Sequence, residues 1–587
     1  METLSIGIPK TNGGAYLIEQ RAPEDIFTPE DFTTEHRAIA KTTEEFFQKE
    51  IAPHLDEISR GEHAVAAKIL KKSAELGLTA VILPEKFGGM EMDLTSMMLV
   101  AEGLAGNGSF AAWYGAQAGI GSLPLLLFGT EEQKKKYLPK LASCEMIGAY
   151  CLSEPQAGSD ALAARTRADL SPDGKYYALN GQKMWITNGG FADLYTVFAK
   201  IGGEKFTAFL VERVWPGVSP GKVENKMGLK GSSTTAVYFD NVKVPVENVL
   251  GEIGRGHIIA FNILNLGRLM IGPFTGGGAR EVLAVSIKYA KERKAFGKSI
   301  AEFGMIQHKL AEMAIRMFAS ESATYRVVGE IEAALGDFSW DAPDASRTML
   351  KAAEEFAVEC SFVKIFASEM LDYVADEGVQ IHGGYGFHQD YAVEHAYVDS
   401  RVDRIFEGTN EINRLLATGM LLKRAQKGEL ALVEAVKKLQ GEILSGPAGS
   451  GEIDMIANAK KAGLFVLGIA YQKFSAAIEE QQEVIANITD VLMNAYMLET
   501  AILRAQKIAR AGRNAENASE MAAVFAREAM DVIDLAARPV MAACSEGDAL
   551  RTNLAILRRF VKYEPVAAIA LRRKIAARLI QAERYVI

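Results

Sequence analysis

The sequence predicts a mainly α-helical protein with a central β domain and a further helical domain towards its C-terminal end. Its 587 residues exceed what one hydrophobic core holds, so two to four domains are expected. Hydrophobic periodicity is helical up to about residue 147, changes to short β-type runs up to about residue 255, and is helical again beyond. These two observations predict helical, β, helical and helical domains in that order.

The first predicted domain spans residues 34–147 and follows a lead segment, residues 1–33. Apolar spacing predicts helices at 35–51, 64–76, 94–105 and 131–141, the last closed near Pro139. An uncharged stretch between Glu102 and Glu131 has the length of a membrane span. The Gly, Asn, Gln and Pro residues that interrupt it favour a helix buried between other helices.

The β domain is predicted for residues 148–255. Residues rich in β-branched and aromatic side chains form short runs at 176–179, 194–199, 206–211 and 235–239. The Asn180-Gly181 pair predicts a turn directly after the first run.

Long helical segments return in the third domain, residues 256–428, at 257–291, 304–335, 346–377 and 410–425. Pro273 lies in the middle of the first of these, so a kink or break is expected there. Residues 445–451 (SGPAGSG) are the clearest linker, and they precede a fourth domain, residues 452–587, predicted to be helical.

Composition and charge exclude several functional classes. A net charge of −9 argues against general nucleic-acid binding. The four cysteines show no C-x-x-C spacing, so neither a zinc site nor a disulfide framework is expected. The first residues lack the basic and apolar regions of a secretory signal, and a cytoplasmic location is expected.

The C-terminal end has the opposite charge. Between residues 551 and 587, nine Lys or Arg accompany two Glu, a local net charge of +7. Basic side chains beside Leu, Ile and Val suit anionic lipid, so peripheral contact with the inner face of a membrane is one interpretation. An ordinary solvated helix face is the alternative.

Residues 404–411 (RIFEGTNE) are the strongest candidate for catalysis. Glu407, flanked by Ile405 and Phe406, is expected to lie out of water, which raises the pKa of a carboxyl group towards that of a general base. Gly408 permits a sharp turn, and the next two residues are good N-caps for a helix whose free N–H groups suit an anion. A surface glutamate before an ordinary helix cap is the alternative.

Three other segments offer binding chemistry, and none matches a Rossmann or P-loop pattern. Residues 150–160 (YCLSEPQAGSD) combine hydroxyls with glycine. Residues 183–190 (KMWITNGG) place Trp185 and Thr187 two apart, on one face of a strand. Residues 379–387 (VQIHGGYGF) form a glycine-dense turn. Neighbouring histidines show no metal-ligand spacing, so no metal site is expected.

Taken together in their order along the chain, these segments closely resemble the acyl-CoA dehydrogenase family, and the resemblance extends from about residue 34 to residue 420. The resemblance rests on the four segments above and on residues 293–297 (RKAFG). It implies an N-terminal helical domain, a β-barrel-like domain and a four-helix bundle, with flavin adenine dinucleotide (FAD) between the last two. It also implies oxidation of an acyl-CoA at its α and β carbons.

The resemblance assigns Glu407 as the catalytic base, which removes the α-proton while the β-hydrogen leaves as hydride to the flavin. It implies that the Glu407 N–H helps to hold the thioester carbonyl oxygen. The implied substrate contacts are Ser159, Asn265, Arg268, Phe406 and Gly408. The implied cofactor contacts are Tyr150, Leu152, Ser153, Gly158, Ser159, Trp185, Ile186, Thr187, Arg293, Phe296, Gln307, Gln380, Gly383, Gly384, Thr409, Asn410 and Glu411.

Three of these contacts, Gln380, Gly383 and Gly384, match residues that a neighbouring subunit supplies, so a homodimer or a dimer of dimers is expected. The position of Glu407, the segment 135–143 and the C-terminal extension resemble the very-long-chain acyl-CoA dehydrogenase branch. A long-chain acyl-CoA substrate and an electron-transfer flavoprotein acceptor are therefore expected. The alternatives are an acyl-CoA oxidase that uses oxygen, and a non-enzymatic assembly protein of the same fold.

Overall fold

The structure is a computed structural model that describes residues 7–444 and 454–587. It confirms the predicted fold class, with helical domains on both sides of a central sheet and a further helical region at the end. The predicted linker, residues 445–451, lies outside the described residues.

The N-terminal domain contains seven α-helices. They are α1 (Thr34–Phe46), α2 (Leu55–Ser59), α3 (His63–Glu75), α4 (Leu94–Leu104), α5 (Gly108–Tyr114), α6 (Leu123–Phe128) and α7 (Glu131–Ala142). The uncharged stretch was wrongly expected to form one helix: α5 and α6 are separated by a π-helical segment, Gly115–Ile120. Pro139 does not close α7, which continues to Ala142.

The β domain is a single eight-stranded sheet in the order β6-β7-β3-β2-β4-β5-β8, with β1 paired to β4. Its strands are β1 (Gly148–Cys151), β2 (Arg167–Leu170), β3 (Tyr176–Ile186), β4 (Leu194–Ile201), β5 (Lys205–Glu212), β6 (Val218–Val223), β7 (Thr235–Pro245) and β8 (Val249–Leu250). The predicted Asn180-Gly181 turn is wrong. Strand β3 continues through this pair against β7, and the pair forms an irregularity in the register between Leu179 and Gly181.

The bundle contains α8 (Gly256–Glu292), α9 (Gly304–Leu335), α10 (Ala345–Glu355), α11 (Ala357–His382), α12 (Ala392–Ser400) and α13 (Asn410–Gln426). Two short strands, β9 (Lys294–Ala295) and β10 (Lys298–Ser299), follow α8. The break expected at Pro273 does not occur, because α8 continues through it to Glu292. The segment predicted as one helix at 346–377 is two helices that meet at Phe356.

Helix α8 is long and apolar enough, by length and composition, to cross a bilayer. However, 72% of its most apolar 18-residue window is buried inside the protein. It packs against α4, α9 and α11, which is the environment of a core helix.

The C-terminal region contains α14 (Leu432–Leu444), α15 (Met455–Phe474), α16 (Gln482–Arg510), α17 (Glu516–Cys544), α18 (Gly547–Phe560) and α19 (Ala568–Ala582). It is a further layer on the bundle: α16 packs on α13 and α9, and α17 and α19 pack on α9. Its apolar side chains join the same continuous core as the rest of the protein.

Buried ion pairs cross this junction. Arg504 of α16 binds Glu30 of the lead segment at 2.9 Å and Glu321 of α9 at 2.6 Å, and its side chain is 1% exposed. Arg326 of α9 similarly binds Glu499 of α16 at 3.1 Å. The lead segment is thus held between the bundle and the C-terminal layer.

The basic C-terminal end is partly used inside the protein. Arg572 binds Glu312 of α9 and Glu528 of α17, and Arg578 binds Glu520 of α17 at 2.5 Å. Other basic side chains of this end remain exposed, and they include Arg558, Arg559 and Lys562. The positive surface is therefore smaller than the sequence implies.

Replacing the buried Arg504 by alanine is expected to destabilise the protein by about 3–5 kcal/mol, because Glu30 would lose its cationic partner and Glu321 would keep only Arg280. Arg510→Ala is the matched control, since Arg510 makes an exposed pair with Glu24 of the same lead segment. Urea unfolding of both variants measures the difference. Equal midpoints would show that the buried contacts do not hold this junction.

Candidate functional site

A cavity of about 340 Å³ lies between the N-terminal domain and the bundle. Thr187 of the β domain, Glu407 and Phe406 line it at one side, and Gly267 and Met270 of α8 continue it. The rest of the lining includes the carboxylates Asp56, Glu281, Asp390, Asp399 and Asp403, and many small side chains from α5 and the segments beside it: Ala105, Gly106, Gly108, Ala111, Ala112, Gly115 and Ala116. The cavity can therefore hold an apolar group next to the Glu407 carboxylate.

The predicted base Glu407 lies in a strained turn between a 3₁₀ segment, Arg401–Arg404, and α13. Its φ angle is 55°, which is uncommon for a residue with a side chain, and Gly408 follows with a φ of 80°. Thr409 caps α13 by accepting a hydrogen bond from the Ile412 N–H. The helix start expected from the sequence is present, and the turn directs the Glu407 carboxylate into the cavity.

The carboxylate of Glu407 is largely enclosed by protein. No donor among the described residues reaches its Oε2 atom, which is also out of contact with solvent. Burial raises the pKa of Glu407 to about 7, although Arg268 and Lys364 act to lower it. A carboxylate with this pKa is suited to accept a proton near neutral pH.

The enclosure comes from α8 rather than from the residues beside Glu407 in sequence. Ile405 is half exposed and does not cover the carboxylate, contrary to the expectation from its apolar side chain. Gly267 of α8 lies directly against the carboxylate instead, since a Cβ atom at this position would lie 2.5 Å from the Glu407 Oε2 atom. The absence of a side chain at position 267 is therefore required for the carboxylate to occupy its place.

Three side chains hold the backbone of this turn. Arg268 donates to the Glu407 carbonyl at 3.3 Å, Asn413 donates to the Gly408 carbonyl at 2.8 Å, and Lys364 donates to the same carbonyl at 2.8 Å. Within residues 7–444 and 454–587, no acceptor takes up the Glu407 N–H. That donor is available to a substrate oxygen beside the carboxylate.

Two residues expected to contact substrate have other partners. Arg268 and Asn265 are 4% and 7% exposed, bind each other at 2.8 Å, and lie outside the cavity lining. Arg268 therefore holds the base in place by donating to the backbone carbonyl of Glu407. Gly408 also lies outside the lining, while Phe406 forms part of the wall.

The loop at residues 150–160 is held by a buried ion pair whose role the sequence did not reveal. Lys183 of β3 binds Glu154 at 2.7 Å and donates to the Leu152 carbonyl at 3.1 Å. Burial opposes the charge of Glu154, yet Lys183 keeps the pKa of this carboxyl below its usual range. Tyr150 and Leu152 are buried, Ser153 is half-buried, and Gly158 and Ser159 are exposed at the tip of the loop.

Trp185 and Thr187 do not share a strand face as predicted. Trp185 lies in an irregularity of β3 with a φ of 61°, and β3 ends at Ile186, before Thr187. This bulge breaks the alternation of side chains and leaves the Trp185 indole 56% exposed, whereas Ile186 is buried. Thr187 reaches the cavity wall, so the segment places a hydroxyl in the same cavity as Glu407 and an exposed ring two residues before it.

Other predicted cofactor residues form a second group outside the cavity lining. Arg293 and Phe296 follow α8, and the Arg293 guanidinium lies 5.8 Å from the ring centroid of Tyr385. Gln307, on the first turn of α9, donates to the Ala301 carbonyl at 3.0 Å. Exposed residues of this group are Arg293, Phe296, Gln380, Gly383 and Gly384.

At the start of α13, Asn410 is only 3% exposed, and its side chain bonds to Lys364, Ser368 and Glu369 of α11. The Thr409 hydroxyl accepts the helix-capping bond. Glu411 is exposed at the first turn, where backbone N–H groups lower its pKa. The Asn410 side chain is therefore occupied, and only its backbone is available to contact a cofactor.

The part of the chain that the structure describes contains no group of three His, Cys, Asp or Glu side chains placed to hold a metal ion.

Comparison with known families gives matches along most of the chain. A model described as "Acyl-CoA dehydrogenase, N-terminal domain" matches residues 33–145, and one described as the middle domain matches 149–242. Two models described as "Acyl-CoA dehydrogenase, C-terminal domain" match residues 254–421 and 458–559. The second of these lies in the C-terminal layer of helices.

Individual relatives agree with these matches. A "Probable acyl-CoA dehydrogenase" of Bacillus subtilis is 47% identical, over 98% of each chain. The "Very long-chain specific acyl-CoA dehydrogenase, mitochondrial" of Bos taurus is 41% identical over 69% of this chain and 61% of its own. A crystal structure of acyl-CoA dehydrogenase complexed with FAD from Bacillus anthracis is 45% identical and has a TM-score of 0.96. The match covers 98% of this chain and 100% of that chain.

Replacing Gly267 by alanine is expected to lower the rate of FAD reduction by substrate about 100-fold, because the added Cβ displaces the Glu407 carboxylate. Gly276→Ala, in the same helix, is the control, since its Cβ would lie 3.6 Å from the nearest atom. Stopped-flow measurement of FAD absorbance compares the two. An unchanged rate in Gly267→Ala would show that this close approach is not needed.

Proposed function

The chain belongs to the acyl-CoA dehydrogenase family, a family of FAD-dependent oxidoreductases, and we propose that it oxidises long-chain fatty acyl-CoA to trans-2-enoyl-CoA. This reaction is the first step of fatty acid β-oxidation. The observation that carries the proposal is the position of Glu407, a carboxylate with a pKa of about 7, in the lining of a mainly apolar cavity.

The residues present fit FAD. The exposed indole of Trp185 offers a flat surface beside Thr187, and the exposed tip of the loop at Gly158 and Ser159 leaves room for close approach. Gly158 has no atom within 4 Å of the place its Cβ would occupy. Bound FAD supplies the acceptor for two electrons and one hydrogen.

Glu407 accepts the α-proton of the acyl group on its carboxylate. As this Cα–H bond breaks, its electron pair forms the Cα–Cβ double bond; FAD would supply the acceptor for the β-hydrogen and the electron pair of its bond. The Glu407 N–H donates to the thioester oxygen, which makes the α-proton more acidic. Arg268, on the Glu407 carbonyl, keeps this N–H and the carboxylate in one orientation.

Exclusion of water supports this chemistry. The Glu407 Oε2 atom has no contact with solvent, so this oxygen holds no water that has to leave before proton transfer. The carboxylate is also not held by a strong donor among the described residues, which would lower its basicity.

Small side chains support a long acyl group as substrate. Ala105, Gly106 and Gly108 line the cavity, as expected for a groove that admits an alkyl chain. Gly103 of α4 lies outside the lining, and a Cβ there would lie 2.7 Å from Thr43, so this glycine serves helix packing; Gly106 also does so, because its Cβ would lie 2.4 Å from Phe47. The likeness to very-long-chain enzymes favours the same substrate class.

The remaining expectations complete this proposal. An electron-transfer flavoprotein is the proposed acceptor of electrons from FAD, and the proposed location is the cytoplasm. A homodimer is the proposed assembly, because Gln380 and Gly383 are exposed, lie outside the cavity lining and are suited to complete a partner's site.

The function is tested by anaerobic titration with saturated acyl-CoAs from short to very long chains, following the loss of FAD absorbance. Long chains are expected to bleach the flavin fastest. Glu407→Gln is expected to retain FAD and bind substrate without bleaching, while Glu434→Gln, an exposed carboxylate on α14, bleaches normally. Bleaching by Glu407→Gln would remove this residue from the mechanism.

Peripheral membrane contact is proposed for the exposed basic side chains Arg558, Arg559 and Lys562. Changing all three to glutamate is expected to abolish co-sedimentation with vesicles containing anionic lipid. Arg572 and Arg578 are left unchanged because they bind carboxylates inside the protein. Equal co-sedimentation of variant and unaltered protein would show that this surface does not bind lipid.

A further inference from the structure

Lys364 is a buried cation that the proposed reaction does not use directly. It lies on α11, is completely buried, and donates to the Gly408 carbonyl at 2.8 Å and to the Asn410 side-chain oxygen at 2.6 Å. Gly408 directly follows the base Glu407. Lys364 therefore fixes the peptide group that sets the direction of the catalytic turn.

Lys364 also acts on Glu407 through charge. Arg268 and Lys364 are the cations that lower the pKa of Glu407 against the effect of burial. Burial in turn lowers the pKa of Lys364 to about 8, and the nearby carboxylates Asp403 and Glu407 oppose this shift. The titratable and charged groups that face this pair come from several elements: Tyr150 of β1, Arg268 of α8, Glu369 of α11, Asp403 of the 3₁₀ turn and Glu411 of α13.

A chain of polar contacts connects Lys364 to the C-terminal layer. Asn410, which Lys364 binds, donates to Glu369 at 3.0 Å. Glu369 accepts two bonds from the guanidinium of Arg414, at 2.9 and 3.2 Å. Arg414 also donates to Asp490 of α16 at 2.8 Å. The chain therefore runs without interruption from the catalytic turn to the C-terminal region.

A second set of contacts joins the same helices. The Thr489 hydroxyl of α16 donates to the Arg414 carbonyl at 2.6 Å and lies 2.7 Å from the Thr418 hydroxyl. Both threonines are buried. Helix α16 thus holds the backbone of α13 as well as its arginine, and α13 begins three residues after Glu407.

We propose that Lys364 is a positioning residue for Glu407. The C-terminal layer holds Lys364 in place through Asp490, Arg414, Glu369 and Asn410. This inference rests on the proposed role of Glu407 as the base. It gives the C-terminal helices a part in catalysis, in addition to their part in the core.

The sign of the expected effect follows from charge. A carboxylate must be ionised to accept a proton, so the rate of FAD reduction rises with pH through the pKa of Glu407, about 7. Removal of a nearby cation makes the carboxylate harder to ionise and moves this rise to higher pH. At a pH below the rise, a displacement of about one unit lowers the rate about tenfold, and at high pH the loss is much smaller.

Lys364→Met in the FAD-loaded enzyme is expected to move the rise in the rate of FAD reduction up by about one pH unit. Lys364→Arg keeps the charge and is expected to return the rise towards its original pH. FAD content and the melting temperature are measured on both variants. A pH profile of Lys364→Met that coincides with that of the unaltered enzyme would overturn the role of Lys364, as would a Lys364→Arg profile that coincides with that of Lys364→Met.

The role of the C-terminal layer is tested separately with Asp490→Asn. Its kcat at high pH is expected to fall about fivefold, with KM and FAD content unchanged, because α13 loses a fixed point near Glu407. Asp534→Asn is the matched control, since Asp534 also pairs with an arginine in the C-terminal layer but belongs to α17. Equal kcat values for the two variants would disprove the connection.

These outcomes are distinct from a failure of the proposed function. If Glu407→Gln still reduces FAD, the base assignment itself is wrong and the inference falls with it. If Glu407→Gln is inactive while Lys364→Met keeps the original pH profile, only the role of Lys364 is wrong.

Discussion

The structure depends on keeping one ionisable carboxylate out of water while leaving it accessible to substrate. Glu407 meets this constraint because α8 has no side chain at Gly267, because the turn adopts a left-handed backbone at residues 407 and 408, and because Arg268 holds the carbonyl. The left-handed backbone and the buried carboxylate both cost free energy. The surrounding bundle supplies the packing that maintains them, and the same burial brings the pKa of the carboxyl near neutrality.

The C-terminal layer helps to hold the helix that carries the catalytic turn. Helix α13 carries the catalytic turn at its start, and it is packed against α11 on one side and α16 on another. The polar residues between these helices form a continuous network, so the orientation of α13 is set by directional bonds as well as by apolar contact. A rigid support of this kind suits a reaction in which the base must meet one particular proton.

Local signals in the sequence revealed the catalytic turn, because a carboxylate, a glycine and a capping threonine are adjacent in the chain. The domain order followed from periodicity. The contacts that make the site work were not readable in this way: Arg268 lies 139 positions from Glu407, and Lys183 lies 29 positions from Glu154. Tertiary pairing also overrode local turn chemistry at Asn180-Gly181, where β7 holds β3 in an extended form, and a bulge displaced Trp185 from the expected strand face.

The junction between the lead segment and α16 has a consequence for how the chain folds. Glu30 is separated from its partner Arg504 by 474 positions. Ribosomal synthesis proceeds from the N-terminus, so this carboxylate leaves the ribosome long before the arginine that neutralises it exists. The lead segment can therefore reach its final place only late, after the bundle has formed and α16 has been made. Closure of so distant a contact is slow, and it makes the order of assembly as well as the final packing a property of this sequence.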